Sequence, residues 1–148
     1  MADEFGRKSL YIKRPVLNGS DIAGWARDSG LPCLDPKDMH VTVAHSRKPV
    51  SWRSILRDER KELVAEFPLF RRLNIFGKND DCLVLEFICD ELWHRWRQLL
   101  ESGLSWDFEG YRPHITLSYD FNAAMPQAPA FQEQIVLGSE IWEEAKED

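Results

Sequence analysis

The chain holds two threonines, Thr42 and Thr116, and each stands two residues after a histidine. The surrounding frames match: His40-Val41-Thr42-Val43 against His114-Ile115-Thr116-Leu117. Only four of the 148 residues are histidine, so random placement would give this pairing in about one chain in a thousand. Both frames are rich in β-branched residues and read as strands. Side chains two apart along a strand share a face. His40 therefore projects with Thr42, away from Val41 and Val43, and His114 projects with Thr116, away from Ile115 and Leu117. The fold has to build two strands, each burying an apolar row and presenting an imidazole beside a hydroxyl.

The rest of the chain supplies a frame for two such strands. "SLYIKRPV" alternates and reads as a first strand. "NGSDIAGWARDSG" reads as a helix capped by Ser20 or Asp21 and stopped by Gly30. After the loop "LPCLDPKD" comes the first motif strand, at 39–46. "KPVSWRSILRDERK" is ambiguous and suggests one short helix. "ELVAEF", "FRRLNIF" and "DCLVLEFIC" are strand-like, separated by turn signals at Pro68 and "GKNDD". "DELWHRWRQLLESG" is the clearest helix, with Asp90 as cap, Gly103 as stop, and Leu92, Trp96, Leu99 and Leu100 on one face. The second motif strand, at 114–119, follows the loop "LSWDFEGYRP"; after the proline-rich loop "NAAMPQAPA", one last strand spans "EQIVLGSEIW". Each motif strand follows a helix and a loop, 74 positions apart (114 − 40). This order predicts an α+β fold: two pseudo-symmetric lobes of antiparallel sheet with flanking helices, facing each other across a central cleft.

Length and composition make residues 1–148 a single domain able to bury a core without disulfides or metals. Three cysteines, Cys33, Cys82 and Cys89, give neither a disulfide framework nor a zinc spacing. A reducing cytoplasm is the expected location. No signal-like stretch opens the chain, and the longest apolar run, "CLVLEFIC", is too short to span a bilayer and carries Glu86, so no membrane association is expected. The net charge of −6 weighs against a long groove tracking a nucleic-acid backbone but allows a small anion held by local cations.

Two such strands around one cleft would bring two imidazoles and two hydroxyls to one small volume. Histidine titrates near neutrality, so one can act as neutral base and the other as charged acid. The hydroxyls can donate to anionic oxygens. That is equipment for transfer at a phosphodiester, and it calls for no cofactor. Two histidines with no associated carboxylate or cysteine cluster are a poor metal set, so none is expected. His45 falls on the face opposite His40 and reads as structural, and His94 reads as a surface residue. Trp106 and Tyr111 flank the second motif without an assigned role.

At these residues the chain resembles the 2H phosphoesterase superfamily, which is marked by two H-x-T-x motifs in pseudo-symmetric lobes and includes LigT-like RNA ligases and 2′,3′-cyclic phosphodiesterases. The likeness covers nearly the whole chain. It is narrower to phage and prophage proteins known as RNA ligase-like or anti-CBASS phosphodiesterases, through "LYIKRPVLN", "DMHVTVAHSRKPVSW", "SWDFEGYRPHITLSYD" and "GSEIWEE". This resemblance implies a metal-independent phosphodiesterase acting on cyclic di- or trinucleotide signals in the host cytoplasm, with no obligatory protein partner. His40, Thr42, His114 and Thr116 would be the catalytic residues. It also implies that Tyr11, Glu140 and Trp142 hold the bases, although Tyr11 and Trp142 read equally as core packing. Alternatives are action on the 2′,3′-cyclic ends of short RNA, or a binding protein that sequesters cyclic nucleotides without cleaving them. Which histidine is base and which acid stays open, because the two frames are so alike.

Overall fold

A computed structural model describes residues 6–67 and 70–145. Among these, β1 (Lys8–Pro15), α1 (Gly19–Asp28), β2 (His40–Val50), β3 (Leu63–Ala65), β4 (Arg71–Phe76), β5 (Cys82–Phe87), α2 (Asp90–Glu101), β6 (His114–Ser118), β7 (Ile135–Leu137) and β8 (Ile141–Glu143) follow in order. All pairings are antiparallel, in sheets of order β2-β1-β8, β4-β5-β6 and β3-β7. The expected α+β architecture is the one observed. The two motif strands, β2 and β6, are edge strands of separate three-stranded sheets and pack against each other.

The apolar periodicities explain this arrangement. Ile22 and Ala26, one turn apart, are the buried stripe of α1, and Leu92, Trp96 and Leu99 that of α2. Val41 and Val43 of β2 and Ile115 and Leu117 of β6 are fully buried in one continuous core with Ile22, Leu92 and Leu99. Gly30 (φ +71°) and Gly103 (φ +109°) end the helices in the left-handed region that suits glycine. The caps differ from expectation. Asn18, not Ser20 or Asp21, precedes α1, and its side chain instead donates to Gln134 O (2.8 Å) and accepts from Val136 N (2.9 Å), tying the helix start to β7. Cys89 precedes α2, and Asp90 is its first residue, where a carboxylate complements the helix dipole.

Two segments fold differently from their sequence reading. "KPVSWRSILRDERK" forms no α-helix: β2 runs on to Val50, and Trp52–Ser54 makes a single 3₁₀ turn. Carbonyls beyond that turn are claimed by distant arginines, Leu56 O by Arg95 Nη2 (2.9 Å) and Arg60 O by Arg14 Nη1 (3.1 Å). The single C-terminal strand is in fact two: β7 pairs with β3, whereas β8 pairs with β1 in another sheet. The chain changes sheets at Gly138, where a Cβ would lie 2.9 Å from Pro15 Cγ and 3.0 Å from Leu17 Cδ2. Only glycine passes that closely over the end of β1. Pro68, expected as a turn signal, lies outside the described residues.

Candidate active site

On the first lobe, β2 presents its motif through its pairing with β1. Pro15 lies opposite His40, Lys13 opposite Thr42, Ile12 opposite Ala44 and Tyr11 opposite His45. Val43 has no partner of its own and is a β-bulge. His40 and Thr42 are half-buried on one face, and Val41, Val43 and Ala44 are buried. The extra residue shifts the alternation, which corrects the reading of His45. It returns to the face of His40 and Thr42, with its ring edge-on to Tyr11 at 5.7 Å.

The second lobe repeats the device. Glu86 lies opposite His114, Val84 opposite Thr116 and Leu83 opposite Ser118, which leaves Leu117 as the bulged residue. Each bulge therefore follows the motif threonine directly, and both strands share one burial pattern: half-buried His, buried, half-buried Thr, buried, buried. The alternation that restores His45 also brings Tyr119 round, and it is 52% exposed.

The imidazoles are held alike. His40 Nδ1 bonds Asp38 O (3.0 Å), and His114 Nδ1 bonds Arg112 O (2.8 Å), each two residues back. A carbonyl can only accept, so Nδ1 carries the proton in both rings and Nε2 is left to take or give one. His114 sits edge-on to Phe76 at 4.8 Å. Burial lowers its pKa below the ordinary imidazole value, outweighing the Arg112 carbonyl and the Glu86 carboxylate, which act the other way.

The hydroxyls differ in their surroundings. Thr42 Oγ1 is 2.9 Å from Tyr11 Oη, and the Thr42 carbonyl accepts from Tyr111 Oη (2.7 Å), whose ring stacks on Trp96 at 5.5 Å. Burial raises the pKa of both tyrosines, so both phenols are neutral near pH 7. Thr116 Oγ1 makes no hydrogen bond among the described residues. The structure thus gathers Tyr11 with His40, Thr42 and His45 on one sheet face, and His114 with Thr116 on the facing lobe. Tyr111, unassigned from sequence, supports β2 from the loop before the second motif. His94 is exposed, as expected.

Glu140 and Trp142 are not brought to this group. Trp142 lies opposite Ile12, on the face of the first sheet turned away from Tyr11 and Thr42. Its ring carries the Arg57 guanidinium at 4.1 Å and sits edge-on to Trp52. Glu140 forms a buried two-pronged pair with Arg95 (2.8 and 3.0 Å), each side chain 3% exposed, and also accepts from Trp142 Nε1 (3.1 Å). Two burdens of support thus fall on residues that the sequence reading gave to substrate.

Sequence reasoning missed the surroundings of His114. Glu86, buried in β5, accepts from Arg72 (Nε 3.2 and Nη2 3.0 Å to Oε1), Asn74 (3.1 Å) and Arg112 (Nε 2.8 Å to Oε2, Nη2 3.1 Å to Oε1). The available signal was one carboxylate inside the apolar run "CLVLEFIC", since a buried charge requires partners. Among the described residues, no three His, Cys, Asp or Glu side chains are grouped so as to hold a metal ion.

A family model described as anti-CBASS protein Acb1 matches residues 8–148. Anti-CBASS protein Acb1 of Caulobacter sp. (strain RHG1) is 30% identical over 151 residues, which cover 99% of this chain and 24% of that protein. Its counterpart in Sphingomonas paeninsulae is 29% identical over 147 residues, 95% of this chain and again 24% of the relative. The chain therefore spans about a quarter of the length of these curated relatives. Anti-CBASS protein Acb1 of Vibrio phage KVP40 is 32% identical over 87 residues, 59% of this chain and 54% of the relative. Among solved structures, E. coli LigT complexed with 3′-AMP superposes with a TM-score of 0.60 at 15% identity, covering 95% of this chain and 96% of that chain. A crystal structure described as a phosphoesterase gives the same score at 14% identity, with 92% and 87% covered. These likenesses establish a shared fold.

Proposed function

The chain belongs to the anti-CBASS protein Acb1 family, and on that premise we propose that it is a metal-independent phosphodiesterase that opens cyclic di- or trinucleotides. The observation that carries this reading is the repeated strand: His, Thr and bulge in the same order on two facing lobes, each imidazole with Nδ1 bonded to a carbonyl and Nε2 left for chemistry.

A ribose 2′-hydroxyl beside its own 3′-phosphate is the natural nucleophile. Held nucleophile and electrophile lower the entropic barrier, with effective molarities up to roughly 10⁵–10⁸ M in well-oriented cases. We assign the base role to His114, because burial favours its neutral form, the one that can accept a proton. Its Nε2 takes the 2′-hydroxyl proton as that oxygen bonds phosphorus. The P–O5′ bond breaks, and His40 Nε2–H protonates the departing 5′-oxygen. The products are a 5′-hydroxyl and a 2′,3′-cyclic phosphate, with one proton passed to His114 and one given by His40. Thr42 and Thr116 donate to the phosphoryl oxygens, where preorganised donors contribute most in the transition state. Tyr11, fixed by Thr42 and His45, offers a stacking surface to a base. In this reading the described residues act as one domain, on signals that arise in the cytoplasm.

The test is mass spectrometry of the protein with a panel of cyclic di- and trinucleotides, alongside His40→Ala and His114→Ala. Each variant is expected to lose roughly 10²–10⁴-fold in turnover. Retention of uncleaved ligand by the native protein would favour a sequestering role, and exclusive action on 2′,3′-cyclic RNA ends would favour the RNA-end reading.

A further inference from the structure

Beside His114 lies a basic group that the two-histidine chemistry does not use. Arg72, Glu86 and His114 stand directly opposite one another on β4, β5 and β6, so their side chains share a face. The next row is Asn74, Val84 and Thr116. Glu86 is 6% exposed, whereas Arg72 and Arg112 are 50% and 53% exposed. One carboxylate holds two guanidiniums, which leaves the group with one net positive charge at the surface.

Each guanidinium is also backed by an aromatic ring: Arg112 lies 4.6 Å from the centre of Phe76 and Arg72 lies 5.3 Å from that of Phe70. Held by Glu86 and a ring, an arginine loses much of the rotamer freedom that normally opposes ligand binding. Glu86 takes Nε and one Nη2 hydrogen of each. The Nη1 group of neither arginine donates to any described residue. Fixed guanidiniums with open N–H edges match a phosphate in geometry and charge.

From this arrangement we infer that Arg72 and Arg112 form a second phosphate subsite, which holds a phosphate of the substrate other than the one attacked between His40 and His114. The Arg72 strand lies two strand spacings from that of His114, roughly 10 Å at the backbone, so the subsite is offset across the sheet from the reacting pair. The subsite would select nucleotides carrying at least two phosphates over those with one. It rests on the reading of the two histidines as the reacting pair, but its test does not require cleavage.

The probes are the deoxydinucleotide dApdA, with one phosphate, and its 5′-phosphorylated form pdApdA, with two. Neither has a 2′-hydroxyl, so neither undergoes internal attack. Calorimetric titration of the native protein is expected to show pdApdA binding about 10- to 100-fold tighter, the range of a charge-assisted contact. Arg72→Gln should remove most of that gain while leaving dApdA within about twofold, and Arg72→Lys should keep part of it. A gain that survives Arg72→Gln, an equal loss for both ligands, or no gain in the native protein would overturn the subsite. Failure of the protein to cleave any cyclic nucleotide would count against the proposed function and leave this comparison intact.

Discussion

At the scale of single residues, the site owes its behaviour to how little freedom its side chains have. The carbonyl bond at each Nδ1 fixes both tautomer and ring orientation, so the motif histidines differ through their surroundings. Burial against Phe76 disfavours the His114 imidazolium, which places its pKa below the ordinary value of about 6.5. If His114 is the base, activity is lost only when it gains a proton. The acid limb of kcat/KM is therefore expected below the ordinary histidine value. Phe76→Ala admits water, restores solvation of the cation, and should move that limb upward in pH; a limb that stays in place would separate Phe76 from the titration. The threonines should also part company. Thr116→Val removes a hydroxyl that has no partner among the described residues, so the rate should fall while the Tm holds. Thr42→Val additionally strands the Tyr11 hydroxyl, at a cost of about 1–3 kcal/mol, and should lower both. Equal Tm values for the two variants would contradict this difference.

At the scale of elements, the repeated bulge and the buried ion pairs decide what faces the cleft. Glu140 joins the start of β8 to α2 through Arg95, with both side chains out of water. Glu140→Ala leaves a buried guanidinium without its partner, and urea unfolding should show a loss of about 3–5 kcal/mol. A variant that kept its stability and lost only nucleotide affinity would return Glu140 to the substrate. Much of the element plan was legible in the sequence. The His-x-Thr alternation gave the shared faces, Gly30 and Gly103 gave the helix ends, and both motif strands were found. The bulges were not, because an extra residue at Val43 or Leu117 is defined only against a partner strand, and sequence alternation carries no record of the partner. For that reason strict alternation puts His45 on the wrong face. The same holds for the split of the last strand, where Gly138 looks like any turn glycine until Pro15 and Leu17 lie beneath it. Segment 48–61 shows tertiary bonding to Arg14 and Arg95 overriding a local helical pattern.

At the scale of the whole molecule, one continuous core runs beneath all three sheets and both helices. The lobes should therefore unfold together. Tryptophans lie in both α1 and α2 and in β8, so fluorescence samples distant parts of the fold. Its urea transition is expected to coincide with that of far-UV circular dichroism; two separated transitions would show lobes of independent stability. A fold that unites two similar strands across one cleft is suited to a reaction needing a base on one side of a phosphorus and an acid on the other. The central step is internal attack by a 2′-hydroxyl between His114 and His40. The most direct measurement incubates the protein with a 3′,3′-linked cyclic dinucleotide and with its 2′-deoxy analogue, and follows both by mass spectrometry. The expected result is that the ribose compound opens to a species ending in a 2′,3′-cyclic phosphate while the deoxy compound binds and survives. Cleavage of the deoxy compound at a comparable rate would contradict the account and make water the nucleophile.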